Sequence, residues 1–147
     1  MLNKFFHSRS VTGFYLPLCG AVLAFVSAIL YQVHYAGTQY YSLSVFLLSL
    51  FAFLIYGILS VFPKTEKFAS LAQETLSFVS LLLFFLNTYL YLSTVFYSGI
   101  NKESLASLDR IYVCVFFFDL LSIVFSNIGI YHSPEKTSDT KESISHD

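Results

Sequence analysis

Between Arg9 and Lys64 the chain has no Asp, Glu, Lys or Arg at all. Charge is scarce throughout, at 12% of residues against 56% hydrophobic, whereas charged residues make up about a quarter of an ordinary soluble domain. The net charge is −1 and Lys and Arg are not clustered, so no nucleic-acid partner is expected, because phosphate binding needs a basic patch. Tryptophan is absent, and 17 Phe with 11 Tyr supply the aromatic bulk. No Asn-x-Ser/Thr sequon occurs, which excludes N-glycosylation.

Chemistry-bearing patterns are equally thin. His7, His34, His132 and His146 are dispersed and make no zinc spacing. There is no glycine-rich phosphate loop and no Ser nucleophile with a His base. Cys19 and Cys114 fall near opposite faces of a membrane, too far apart in depth for a disulfide. Both are expected as packing residues, with Cys19 open to acylation. Neither an enzyme nor a cofactor or metal site is expected.

What is present is four long apolar runs. A hydrocarbon core about 30 Å thick takes roughly 20 apolar residues per helix, and residues 14–34, 42–62, 76–97 and 111–130 meet that length. The expected fold is all-α, an integral membrane four-helix bundle over 14–130, after a short N-terminal segment 1–13. Residues 131–147 are a Ser/Thr/Lys/Glu tail without apolar period, expected to be disordered, with Ser133 ahead of Pro134 as a candidate phosphorylation site. Gly37 and flanking tyrosines suit an interfacial turn between the first two spans. Pro63 ends the second span, and the third helix is expected to begin near Thr65 or near Ser70, where Ser70 to Gln73 reads as a capping box. A cleaved signal peptide is the rival reading of the start, although its apolar run exceeds the usual signal core.

With four spans, Lys4, Arg9, Lys64, Lys67, Lys136 and Lys141 share one side, and Lys102 and Arg110 the other. The positive-inside rule then puts both termini in the cytosol. Tyr31, Tyr35, Tyr40, Tyr41, Tyr97 and Tyr112 gather at the opposite face as an aromatic belt. Glu74 sits at the cytosolic mouth of the third helix within reach of water, Lys67 or Arg9, and Asp109 at the start of the fourth favours its helix dipole.

Small and polar residues inside the spans recur by threes and fours. The first helix carries Gly13, Pro17, Gly20, Ala24, Ser27, Tyr31 and His34, and the second Ser42, Ser49, Ala52, Tyr56 and Ser60. The third has Ser77, Ser80, Phe84, Asn87, Tyr91, Thr94 and Ser98, and the fourth Tyr112, Asp119, Ser122, Ser126 and Gly129. That spacing puts each set on one helix face. Lipid tails are as apolar as Leu, so membrane helices associate through small residues and interhelical hydrogen bonds. The stripes, with Gly20, Ala24, Ser77, Ser80, Ser122 and Ser126 as packing positions, are expected to face inward in a left-handed bundle crossing at about 20°.

Asp119 is the ionisable residue deep in a span, at an insertion cost of about 2.5 to 3.5 kcal/mol. At about 1.5 Å per residue it lies roughly 13 Å below the outer end of its helix, and Asn87 roughly 15 Å below the outer end of the third. Ser27 and Ser49 fall at similar depths, so Asp119, Asn87, Ser27 and Ser49 are expected to form an intramembrane polar cluster. No Lys, Arg or His stands at that level, so the carboxyl is expected to be uncharged and to donate a hydrogen bond. Three roles stay open for it: internal packing, contact with a basic residue of a partner's helix, or a proton- or cation-coupled site.

Four spans, cytosolic ends and short loops resemble the MARVEL-domain family, especially its small fungal branch. Residues 40–50, the Gln73-Glu74 opening of the third helix and the Phe-rich run 113–118 carry the likeness. The missing Trp, the absence of a paired-cysteine outer loop and Asp119 depart from that pattern. The resemblance implies a non-enzymatic protein that organises membrane domains or accompanies vesicle traffic, with membrane lipids and other transmembrane helices, a second copy included, as partners. A small transporter subunit using Asp119, or an accessory subunit of a membrane complex, is the alternative. Span length leans toward endoplasmic reticulum or Golgi, and the resemblance toward the plasma membrane.

Overall fold

The computed structural model describes residues 11–62, 65–97 and 99–132. The 1–10 segment, Pro63, Lys64 and Ser98, and the 133–147 tail with Ser133, lie outside the described residues. A π-helical turn at Val11–Tyr15 leads into α1 (Leu16–Tyr35), followed by α2 (Leu43–Ser60), α3 (Glu66–Val95), α4 (Lys102–Ala106) and α5 (Arg110–His132), with no strand among the described residues. Four of these helices, α1, α2, α3 and α5, are long and apolar enough to cross a membrane. By length and composition the chain is a multi-pass membrane protein.

Local chemistry accounts for the boundaries. Pro17 has no N–H for the Gly13 carbonyl, and its ring crowds that carbonyl. The wider π turn just ahead of it accommodates both effects. α1 stops where Gly37 adopts φ +85°, and the turn is closed by Thr38, whose N–H and Oγ1 both bond the Tyr35 carbonyl at 2.9 and 2.8 Å. Asn101 caps α4, its Oδ1 accepting from Ser104 N at 2.8 Å.

Of the two expected starts of the third helix, near Thr65 and near Ser70, the structure takes the first. α3 starts at Glu66, with Ala69 N donating to Thr65 O at 2.8 Å and Thr65 Oγ1 donating to Leu59 O at 2.6 Å. Ser70 and Gln73 therefore do not form a capping box: they lie a turn or more inside the helix and are both fully buried. At 30 residues, α3 is about 45 Å long.

The long helices form a ring in which α1 packs on α2 and α5, and α3 on α2 and α5. Neighbours run antiparallel, so the bundle has two distinct ends. At the tyrosine end, Tyr31, Tyr35, Phe84, Tyr112 and Val115 make a buried aromatic cluster, with Phe84 stacked on Tyr112 at 4.9 Å between ring centres. Tyr31 and Tyr112, expected both on the inward stripes and in an interfacial belt, thus fill the core, and Tyr35, expected only in the belt, joins them. Tyr97, 92% exposed, stays outside. At the opposite, glutamine end, Pro17, Gln73, Ser126 and Gly129 are buried together.

The tyrosine end is stitched by hydrogen bonds across helices. Ser42 N donates to Tyr31 Oη at 2.7 Å, and Tyr31 Oη donates to Tyr40 O at 3.0 Å. Asp109 caps α5 through Ile111 N at 3.0 Å, receives His34 Nε2 at 2.5 Å, and donates its own N–H to Tyr91 Oη at 2.7 Å. His34 is thus exposed and paired, where the inward stripe had placed it among core residues. Asp109→Ala is expected to cost about 0.5–2 kcal/mol, as losing a cap does. His34→Ala should cost about 0.2–1 kcal/mol, as exposed pairs do. Denaturant unfolding in detergent separates the two, and equal losses would show that Asp109 acts through the pair alone.

Candidate functional site

A seam of polar side chains runs through the bundle where α1, α3 and α5 meet. Gln73 enters from α3 and is fully buried. The orientation that satisfies both ends of its carboxamide has Oε1 accepting from Ala21 N at 2.7 Å and Nε2 donating to Pro17 O at 3.2 Å, with the Ser126 hydroxyl 2.8 Å from Oε1. Gln73 therefore grips the backbone of α1 at one peptide pair. Gly20 makes the approach possible, since a Cβ there would stand 3.0 Å from the carboxamide and 3.0 Å from Ser122 O.

The seam continues in both directions. Ser77 Oγ and Ser122 Oγ lie 3.2 Å apart, and Ser126 Oγ donates to Ser122 O at 2.8 Å. Towards the glutamine end, Asn127 Nδ2 donates to Glu74 Oε1 at 2.8 Å. Glu74 is half-buried and takes Asn127 as a partner; Arg9, expected as a possible partner, lies outside the described residues.

One turn from Ser122 towards the tyrosine end lies Asp119, 1% exposed. Neither of its Oδ atoms has a hydrogen-bond partner. The Ser27 hydroxyl bears on the carboxyl but is aligned instead with Val115 O, to which it donates at 3.4 Å. A buried side-chain oxygen without a partner is uncommon in a native fold, and here both oxygens of one carboxyl are in that state.

Of the expected cluster, the structure brings Ser27 to Asp119 and leaves the others apart. Asn87 is half-buried and turns back on its own helix, donating to Leu83 O at 2.8 Å. Thr88 takes the inward position beside it, fully buried and bonded to Phe84 O at 2.7 Å. Ser49 pairs with Ser80 at 2.7 Å, and Ser80 lies 3.1 Å from Val45 O, on the separate α2–α3 contact. Ala24 is fully buried, as Gly20, Ser77, Ser80, Ser122 and Ser126 are. Further down the α3 stripe, Thr94 is exposed.

Two features had no sequence reading of this kind. Gln73 was hidden by its resemblance to a cap, although a buried amide four residues before Ser77 continues the stripe. The His34–Asp109 pair could have been found from depth, since both residues end their spans on the same side. Cys19 and Cys114 differ from expectation too: both are exposed and free, facing away from the core.

Among the described residues no group of three His, Cys, Asp or Glu could hold a metal ion. A groove of about 300 Å³ between α3 and α5, lined by Phe85, Leu92, Phe96, Tyr112, Val113 and Phe116, is wholly apolar. No family model, curated protein or solved structure matches the chain.

Proposed function

We propose that the chain is a non-enzymatic multi-pass membrane protein that acts laterally, organising membrane domains or accompanying vesicle traffic. Its partners are membrane lipids and other transmembrane helices, a second copy of itself among them. The distribution of polar groups supports this reading above all. Gln73, Ser77, Ser80, Ser122 and Ser126 are turned inward, while Val33, Ile58, Phe78, Leu86 and Leu90 are exposed on the outer faces. Exposed apolar surface on this scale marks contact with lipid or protein. The described linkers are only a few residues long, too short for a soluble binding domain.

The resemblance to the MARVEL-domain family supports the same role, and the Lys and Arg distribution supports cytosolic termini. The burial of Asp119 argues against an accessory-subunit contact, because a carboxyl 1% exposed cannot reach a basic residue of another chain's helix. The test is capture of the tagged full chain from cells that also make an untagged copy, using native lipid discs. Untagged chain and a constant set of membrane neighbours are expected with both wild type and Asp119→Asn. Recovery of the tagged chain alone would overturn the lateral role, and a neighbour lost only with Asp119→Asn would restore the accessory-subunit reading.

A further inference from the structure

We propose that Asp119 is a proton-binding site within the membrane, served from the glutamine end by the hydroxyl and amide seam that opens beside Glu74 and Asn127. This goes beyond the lateral role and does not depend on it.

Its two Oδ atoms are enclosed without partners, although several hydroxyls stand within a turn or two on the same helix face. Ser27, the nearby hydroxyl of α1, is aligned with Val115 O. The Tyr35, Ser70 and Tyr112 hydroxyls are likewise buried without partners, but each is a single neutral oxygen, whereas Asp119 leaves both oxygens of an ionisable group with no closer company than the Ser27 hydroxyl. An intramembrane ionisable residue is by default a functional-site hypothesis.

Polarity around Asp119 also runs in one direction. Towards the glutamine end, successive turns of α5 bring Ser122 and Ser126, flanked by Ser77 and Gln73 of α3, and then the Asn127–Glu74 pair at the rim. Towards the tyrosine end, the next turns bring Val115 and Tyr112, packed on Phe84, Tyr31 and Tyr35. A proton or a water thus meets side chains linked to one another on one side, and on the other aromatic rings whose Tyr35 and Tyr112 hydroxyls have no partner to pass it to. Access is one-sided.

The groups facing the carboxyl also select the ligand. The titratable side chains turned into the bundle are Tyr31 and Tyr35 on α1, Tyr56 on α2, whose hydroxyl donates to Phe14 O at 2.9 Å, Glu74 at the rim on α3 and Tyr112 on α5, while Cys19 and Cys114 face outward. No Lys, Arg or His bears on Asp119, so no cation holds it in the ionised form. The described residues offer no acidic or imidazole set for a metal ion. A proton suits one carboxyl without a coordination shell. On uptake, a hydronium at the Glu74 rim loses a proton and is left as water, each hydroxyl along the seam accepts one proton and passes on its own, and an O–H bond forms at Oδ of the ionised Asp119, which becomes a neutral carboxyl. Release is the reverse.

Infrared spectroscopy of the full chain in liposomes, with ¹³C-labelled aspartate, reads this directly at neutral pH. The expected result is one isotope-sensitive band of a protonated carboxyl, absent in Asp119→Asn. In deuterated buffer that band should shift, and Ser126→Ala should slow the shift about tenfold, while Tyr112→Phe leaves its rate unchanged. The isotope shift assigns the band to an aspartate, and its persistence in an Asp109→Asn, Asp139→Asn, Asp147→Asn triple variant assigns it to Asp119 even if the Asp119 variant does not fold. No protonated band at any pH, a band that exchanges only when the protein unfolds, or an exchange rate indifferent to Ser126→Ala would each overturn the proposal.

Discussion

Gly129→Ala is expected to lower the unfolding free energy by about 3 kcal/mol, the upper part of the range for overpacked cores. A Cβ at 129 would stand 2.0 Å from Pro17 Cγ. The atom it meets belongs to a closed ring that cannot rotate away, so the added methyl must be taken up by moving α1 away from α5. The same movement would withdraw Gly20 from Ser122 and Gln73 and loosen the seam. Gly57→Ala is the control, because nothing lies within 4 Å of a Cβ there. In a helix that substitution should be neutral or stabilise by about 0.4–1 kcal/mol. Helical circular dichroism followed through denaturant titration in detergent measures both. Adding Pro17→Ala to Gly129→Ala should recover part of the loss, with a coupling of about 0.5–3 kcal/mol between residues in contact. If Gly129→Ala behaves like Gly57→Ala, then α1 and α5 are not closely seated at this crossing.

Asp119→Val is expected to act in the opposite sense and raise the unfolding free energy by about 1–3 kcal/mol, the desolvation penalty of a buried group without partners. Little hydrogen bonding is lost by the change, since neither Oδ has a well-aligned partner and the Ser27 hydroxyl that bears on the carboxyl keeps Val115 O. The added apolar volume sits beside Val115 and Ser27, and the polar groups of the seam keep their own partners. Asp119→Asn should change stability less, because it leaves a polar group in the same enclosure. The Tyr35, Ser70 and Tyr112 hydroxyls are also buried without partners, but Asp119 is the one carboxyl among them, and a stability cost retained at such a group is the pattern of a site kept for function. Unfolding titrations of the three proteins decide it: a destabilised Val variant would mean that Asp119 holds the bundle together.

Much of this fold was legible because the stripe pattern and the bilayer impose the same arrangement. In α2 the buried set is Val45, Ser49, Ala52, Tyr56 and Ser60, and in α5 Tyr112, Val115, Asp119, Ser122, Ser126 and Gly129; both nearly repeat the expected stripes. The α3 stripe held through Ser77, Ser80 and Phe84 and then passed to Thr88 in place of Asn87. A straight helix drifts by about 20° per heptad against a strict 3.5-residue repeat, so a stripe projected over three heptads slides off the face. Asn87 could leave the core at low cost because its amide found the Leu83 carbonyl. His34 left for a different reason, its partner Asp109 being the cap of another helix. The seam itself was only half legible. Serine spacing marks an inward face, but which hydroxyl meets which depends on helix offsets along the bundle axis, and the grip of Gln73 on α1 depends on the gap at Gly20.

The unequal lengths of the helices bear on the lipid around them. α2 has 18 residues and α3 has 30, about 27 and 45 Å respectively, against a hydrocarbon core of about 30 Å. Lipids beside α2 must thin to match it, while the surplus of α3 stands in the headgroup layer or is absorbed by tilt, each at a fraction of a kcal/mol per Å. The rim of deformed bilayer is therefore lopsided, strained along α2. Two molecules that bring their α2 edges together would relax part of that strain, an elastic attraction that needs no complementary side chains.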